Sequence, residues 1–143
     1  MHKVTFRRIK WLYPVFLLYI FLFTACKDSS SQTGPDGIIK DMHAEEFSKT
    51  ITNELVQLID VRTPEEFQKG YIAGAQLINY NDASFSEKIA SLDKSKAVYV
   101  YCASGIRSSK ASKIMKEAGF SEIYNLVGGF NGWISAQLPF EKE

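Results

Sequence analysis

Residues 97–109 read Ala-Val-Tyr-Val-Tyr-Cys-Ala-Ser-Gly-Ile-Arg-Ser-Ser. Ala97–Tyr101 is an unbroken run of apolar and aromatic residues, the character of a strand buried on both faces. Ser108–Ala118 (SSKASKIMKEA) reads as a helix, and Gly119 ends it. Cys102 therefore closes a strand and stands before a tight loop and a helix N-terminus. Such a turn points successive backbone N–H groups into one concavity, where the helix dipole also favours an anion. A cysteine in that place is favoured as the thiolate. Gly105 allows backbone curvature that a bulkier residue resists, and Arg107 supplies a fixed positive charge for an oxyanion. The competing reading is an inert core cysteine at the end of a buried strand.

Working outward, Leu55–Val61 (LVQLIDV) has the same continuous apolar character, and Leu77–Asn79 and Ile123–Asn125 read as further strands. His43–Asn53 predicts a first helix. Thr63-Pro64-Glu65-Glu66 is a capping box with proline at the first helical position, opening a short helix that Gly70 stops. Phe85–Leu92 is an amphipathic turn or two, and a last helix carrying Trp133 follows Gly128-Gly129. Strands alternating with short helices predict an α/β domain with a mainly parallel central sheet. Ligands in such sheets bind beyond the carboxyl ends of the strands, where Asp60-Val61-Arg62 and Cys102 fall. Asp60 and Arg62 are expected to fix the neighbouring loop, and Glu65 and Glu66 to be helix-start acids favoured by the dipole. Gly128 and Gly129 are expected to serve a turn, and Trp133 to pack in the core. His43, at a helix start, is read as a solvated end residue rather than the partner of Cys102 in a dyad. Two histidines and two cysteines in no ligand-like spacing predict no metal site.

The chain has 143 residues, of which 45% are apolar and 23% charged, in the range of one globular domain. That excludes a disordered tail and a disulfide-dense mini-scaffold. The net charge of +1 is uneven: residues 1–26 carry Lys3, Arg7, Arg8 and Lys10 and no acid. The remainder holds 13 of the 17 basic residues against all 16 acidic ones, a balance of −3 that gives no electrostatic footprint for nucleic acid. Behind the basic cluster, Trp11–Ala25 is apolar apart from Thr24 and broken only by Pro14. Basic stretch, short apolar core and small residues make the three parts of a secretory signal, too short for the usual ~20-residue spanning helix. Phe23-Thr24-Ala25-Cys26 resembles the lipobox of bacterial lipoproteins. The resemblance implies a signal peptide over 1–25, lipidation of Cys26, and anchoring to a membrane of the bacterial cell envelope, facing the periplasm or exterior. The alternative is an uncleaved anchor with a buried cysteine. Residues 26–37 are polar, with Ser, Gly and Pro, and read as a flexible tether, leaving 38–143 for the folded domain. With Cys26 acylated, Cys102 has no intramolecular disulfide partner, and an unpaired thiol in an oxidising compartment is flagged as reactive.

Four segments, in order and at matching distances, resemble the rhodanese (sulfurtransferase) family over roughly residues 38–138. They are Leu58-Ile59-Asp60-Val61-Arg62, Glu66-Phe67 through Gly70-Tyr71-Ile72-Ala73-Gly74-Ala75, Cys102-Ala103-Ser104-Gly105-Ile106-Arg107-Ser108, and Gly128-Gly129-Phe130-Asn131-Gly132-Trp133. The resemblance implies a single α/β domain with helices on both faces of the sheet. It also implies that Cys102 takes a sulfane sulfur from thiosulfate or a persulfide and passes it to a thiol or other thiophilic acceptor. Ala103, Ser104, Gly105, Ile106 and Arg107 would form the substrate cradle, with no metal or organic cofactor. Tyr71 stands where the family commonly has His, a position that shapes the entrance and packing rather than the sulfur chemistry. Two rival functions keep the same thiol: a cysteine-dependent phosphatase or arsenate reductase, and a non-catalytic thiol sensor or docking module. Four residues separate Cys102 from Arg107, whereas the phosphatase signature that resembles this loop has five, which favours sulfur.

Overall fold

In the computed structural model, which describes residues 37–52 and 56–142, the apolar run before Cys102 is the strand Val98–Tyr101, buried along its whole length. Call it β4. It lies at the centre of a five-stranded sheet with β1 (Ile38–Met42), β2 (Gln57–Asp60), β3 (Gln76–Leu77) and β5 (Glu122–Leu126), in the order β1-β5-β4-β2-β3. Every pairing is parallel, so all five strands deliver their carboxyl ends to one edge. Five helices connect them: α1 (Ala44–Ile51), α2 (Pro64–Gln68), α3 (Phe85–Ala90), α4 (Ile106–Glu117) and α5 (Gly129–Ser135).

Alternation along the strands sorts the core into two layers. Ile59, Val98, Val100 and Ile123 pack on Phe85 and Ile89 of α3 and on Ala111 and Met115 of α4. Leu58, Tyr99, Tyr101 and Leu126 point the other way, onto Phe47 of α1 and Phe130 and Trp133 of α5. Phe47 meets Tyr99 edge to face at 5.4 Å between ring centroids, a preferred aromatic geometry. Trp133 packs in the core as expected and donates its indole N–H to the Pro139 carbonyl at 2.9 Å. Helices therefore cover both faces of the parallel sheet, as the family resemblance implies.

Four features differ from the sequence reading. The helix after Cys102 begins at Ile106, two residues before Ser108, because Gly105 adopts the left-handed conformation (φ 93°) and turns the chain directly into the helix. β1 was not legible: four of its five residues are exposed, and Lys40-Asp41 breaks any apolar alternation. It exists through tertiary pairing, Ile38 to Met42 against Glu122 to Leu126 of β5. Gly37, assigned to the tether, is buried instead; a Cβ there would lie 2.1 Å from the Phe120 carbonyl oxygen. The predicted strand at 77–79 is the two-residue β3, prolonged by hydrogen bonds from Ile78 N–H to Asp60 O (2.8 Å) and Tyr80 N–H to Val61 O (3.1 Å). The leader at 1–25, Cys26 and the tether up to residue 36 lie outside the described residues.

Candidate active site

Cys102 leaves the end of β4, and only residues 103–105 lie between it and the first turn of α4. This short turn folds the amides back on the sulfur: Gly105 N–H donates to Cys102 Sγ at 3.1 Å. The Ser108 hydroxyl lies 3.6 Å from Sγ and also reaches the Gly105 carbonyl at 3.1 Å. Burial pushes the thiol up, but the N–H groups of Ser108, Ser104 and Gly105 and the Ser108 hydroxyl outweigh it and bring the thiol below its ordinary value. The sequence predicted this thiolate preference from the strand, loop and helix order. The residue itself is 1% exposed. The sulfur sits at the floor of its cradle, because the side chains of β4 alternate and position 102 belongs to the layer facing α3 and α4.

What holds the loop in this shape is α5. Phe130 N–H donates to the Cys102 carbonyl at 2.7 Å, and Asn131 N–H to the Ala103 carbonyl at 3.0 Å. With both carbonyls tied to α5, the amides that follow them are free to face the sulfur. This approach needs glycine at position 129, where φ is 57° and a Cβ would stand 2.4 Å from the Cys102 oxygen. The pair Gly128-Gly129 therefore does more than make a turn: it brings a helix start into contact with the cysteine loop.

Arg107 is placed differently from expectation. It lies on the first turn of α4, and its two terminal nitrogens donate to the Glu66 carboxylate at 2.8 and 2.6 Å. Its charge also attracts the Cys102 thiolate, a smaller influence than Glu66. The guanidinium is thus a paired wall of the site rather than a free anion ligand, and Ile106 beside it points outward, 66% exposed. Of the predicted cradle, Ser104 and Gly105 surround the sulfur with amides, and Ala103 holds the loop to α5.

Glu66 and Ser108 were missed as site residues. Glu66, expected as a capping-box acid and as the start of one family segment, closes the capping box: Thr63 N–H donates to its Oε2 at 2.9 Å, and Thr63 Oγ1 accepts from Glu66 N–H at 3.4 Å. The same carboxylate bridges 41 residues to Arg107, a pairing that no local spacing reveals. Ser108 was hidden by the helix boundary: with α4 starting at Ile106, position 108 turns inward and is fully buried.

The Arg107 guanidinium, first, holds the Glu66 carboxyl down from its ordinary 4.5 to about 2. A depressed carboxyl stabilises the fold above the unfolded value and loses that contribution as pH falls through the folded one. Glu66→Gln, which keeps the capping box, is therefore expected to destabilise the protein by about 1 kcal/mol at neutral pH. The gap to the wild type should be full above pH 4.5 and close toward pH 2; a gap independent of pH in denaturant melts would contradict the ion-pair account. For Cys102, alkylation rates are expected to inflect below the ordinary thiol value, and Ser108→Ala should move the inflection to higher pH. Sulfur uptake should slow about two- to tenfold, the net worth of one hydrogen bond.

Asp60 and Arg62, the other strand-end candidates, form a buried bidentate pair with contacts of 2.6–3.0 Å. Arg62 also donates to the Gly70 carbonyl at 2.7 Å and lies over the Phe130 ring at 4.2 Å. They fix the neighbouring loop, as the sequence reading expects. Tyr71 stacks on Phe67 at 4.1 Å and pairs through its backbone with Glu141. His43 is an exposed residue at the N-terminus of α1.

Comparison with known proteins agrees with this geometry. The chain is 38% identical over 96 residues to the uncharacterized protein YqhL of Bacillus subtilis, covering 67% of this chain and 73% of that one. It is 36% identical over 81 residues to the thiosulfate sulfurtransferase GlpE of Shewanella oneidensis, covering 57% and 78%. Among solved structures, a rhodanese-like domain protein from Staphylococcus aureus superposes with a TM-score of 0.60 at 32% identity, covering 66% of this chain and 90% of that one. The model of the rhodanese-like domain matches residues 43–136, and with the parallel sheet and the cysteine loop at its carboxyl edge, the chain belongs to the rhodanese-like family.

Proposed function

We propose that this protein is a sulfurtransferase that carries a sulfane sulfur on Cys102, with thiosulfate or a persulfide as donor and a thiol as acceptor. The observation that carries the reading is the three-residue loop whose Gly105 N–H lies 3.1 Å from Sγ. Preorganised donors of this kind stabilise sulfur-centred negative charge without reorganisation during the reaction. The name of the Shewanella relative supports the same chemistry. The Cys102 thiolate attacks the outer sulfur of thiosulfate; a Cys102–sulfur bond forms, the sulfur–sulfur bond of the donor breaks, and sulfite leaves with the bonding pair. A nucleophile, cyanide in an assay or a thiolate, then takes the outer sulfur and returns Cys102 as thiolate. No net oxidation occurs.

A phosphatase would need a wider loop and an arginine free to grip phosphate, whereas Arg107 is held by Glu66. The full chain should therefore release thiocyanate from thiosulfate and cyanide, and thiosulfate alone should leave one extra, reductant-labile sulfur by mass. Aryl phosphate should turn over only at background. Cys102-dependent phosphate hydrolysis without sulfur uptake would overturn the reading. The leader and Phe23-Thr24-Ala25-Cys26 support a lipid anchor in the bacterial envelope. Cys26→Ala is expected to abolish incorporation of labelled fatty acid; equal label in both proteins would contradict the anchor.

A further inference from the structure

Among the described residues the two arginines, Arg62 and Arg107, both follow strand ends at the carboxyl edge of the sheet, and each is clamped by a carboxylate. Arg62 is buried with Asp60, away from solvent. Arg107 and Glu66 are partly exposed, and after Glu66 the next group that Arg107 attracts is the Cys102 thiolate. A donor approaching the sulfur therefore meets the two side chains as a pair. The pair is built to stay closed. Both terminal nitrogens of Arg107 donate to the two Glu66 oxygens, at 2.8 and 2.6 Å, the parallel fork that is the strong form of this contact. Glu66 is also fixed from behind, because its Oε2 accepts from Thr63 N–H at 2.9 Å in the capping box of α2. The carboxyl is held down to about 2, so it is ionised throughout the neutral range. The strongest influences that lower the Cys102 thiol are dipoles, the N–H groups of Ser108, Ser104 and Gly105 and the Ser108 hydroxyl. The sulfur has dipoles around it and a neutralised ion pair beside it.

We propose that Glu66 is a specificity-determining residue for the sulfur donor: acting through Arg107, it cancels the guanidinium's charge beside Cys102 and biases the site toward singly charged donors, organic thiosulfonates and persulfides, over dianionic thiosulfate. The inference rests on the sulfurtransferase reading above. Sulfur uptake brings the donor up to a thiolate, and the work against that thiolate scales with the donor's charge. An unpaired Arg107 would offset the repulsion, twice as strongly for a dianion as for a monoanion. With Glu66 locked against it, the arginine's field is cancelled beyond the pair itself, and the N–H dipoles of the loop act only at hydrogen-bond range. A donor whose charge is one unit loses less by this than thiosulfate does. The capping box thus has a second consequence: the acid that starts α2 also sets the charge that the donor meets at the sulfur.

Thiosulfate and methanethiosulfonate are matched probes, since a methyl group in the second replaces a charged oxygen of the first. With either, the Cys102 thiolate attacks the outer sulfur, a Cys102–sulfur bond forms and the donor's sulfur–sulfur bond breaks. Sulfite or methanesulfinate leaves with the bonding pair. With cyanide as acceptor, kcat/KM for the donor reports uptake alone in a double displacement. The quantity measured on the full chain is the ratio of kcat/KM, thiosulfate over methanethiosulfonate. Glu66→Gln, which keeps the capping box, is expected to raise this ratio about fivefold. Arg107→Gln, which leaves the carboxylate unpaired, should lower it by a similar factor. The double variant Glu66→Gln/Arg107→Gln should return it to within about twofold of wild type, and Glu66→Asp, which keeps the charge, should leave it there. The gain in Glu66→Gln should fade in about 1 M salt, where screening acts within about 3 Å. A shifted helix or loosened loop would change kcat/KM for both donors together and leave the ratio alone. An unchanged ratio in Glu66→Gln overturns the inference, and sulfur uptake by the wild type then leaves the transferase reading standing. No uptake from either donor by the wild type overturns that reading, and this inference with it.

Discussion

Serine in place of Cys102 is expected to abolish thiosulfate-dependent thiocyanate release, by at least about 10⁴-fold as for other nucleophile replacements. The reasoning is electronic rather than steric. Serine fits the position, but its hydroxyl stays protonated under a field that only brings a thiol within reach of ionisation. The N–H groups of Ser104, Gly105 and Ser108 that lower the Cys102 thiol cannot span the much larger gap of an alcohol. An oxygen at that site also cannot hold a sulfane sulfur in a bond that a second nucleophile readily breaks. The variant should fold as the wild type does, since the loop is fixed by carbonyl contacts to Phe130 and Asn131 that do not involve the sulfur. Unchanged melting with lost sulfur uptake by mass is the expected pair of results. Residual uptake above a tenth of wild type would mean that sulfur is not carried on Cys102.

How much of this site was legible depended on whether the signal was local. The strand before Cys102, the glycine that turns the chain at 105 and the capping box at Thr63 are each set by a few adjacent residues, and each stands where the sequence placed it. Most failures share one cause, contacts between segments distant in the chain. β1 has no apolar period of its own and is a strand only because β5 lies beside it. Glu66 belongs to the site because α2 and α4 meet at the edge of the sheet. Gly129 matters because α5 starts against the Cys102 carbonyl. The two-residue error at the start of α4 has a local cause, the left-handed Gly105, and it moved Arg107 from loop to helix.

Removing the Asp60 carboxylate should cause the largest loss of stability, about 3–5 kcal/mol for Asp60→Ala. Asp60 is fully buried and Arg62 is 3% exposed, so the alanine variant leaves a guanidinium in the interior with no counter-charge. Water cannot replace the partner without opening the layer of Tyr101 and Phe130 that flanks the guanidinium. The cost is one of desolvation, not of a lost attraction, and this makes the prediction specific. Arg62→Met in the same chain removes the orphaned charge, so the double variant should recover most of the stability that Asp60→Ala loses. It should not recover sulfur transfer to the same degree. Arg62 also holds the Gly70 carbonyl at 2.7 Å, just beyond the end of α2, and α2 is the helix from which Glu66 reaches Arg107 beside the cysteine. Stability restored with transfer still impaired would locate the role of the pair in positioning that helix. A double variant as unstable as the single one would show that the hydrogen bonds of Arg62, rather than its buried charge, account for the loss.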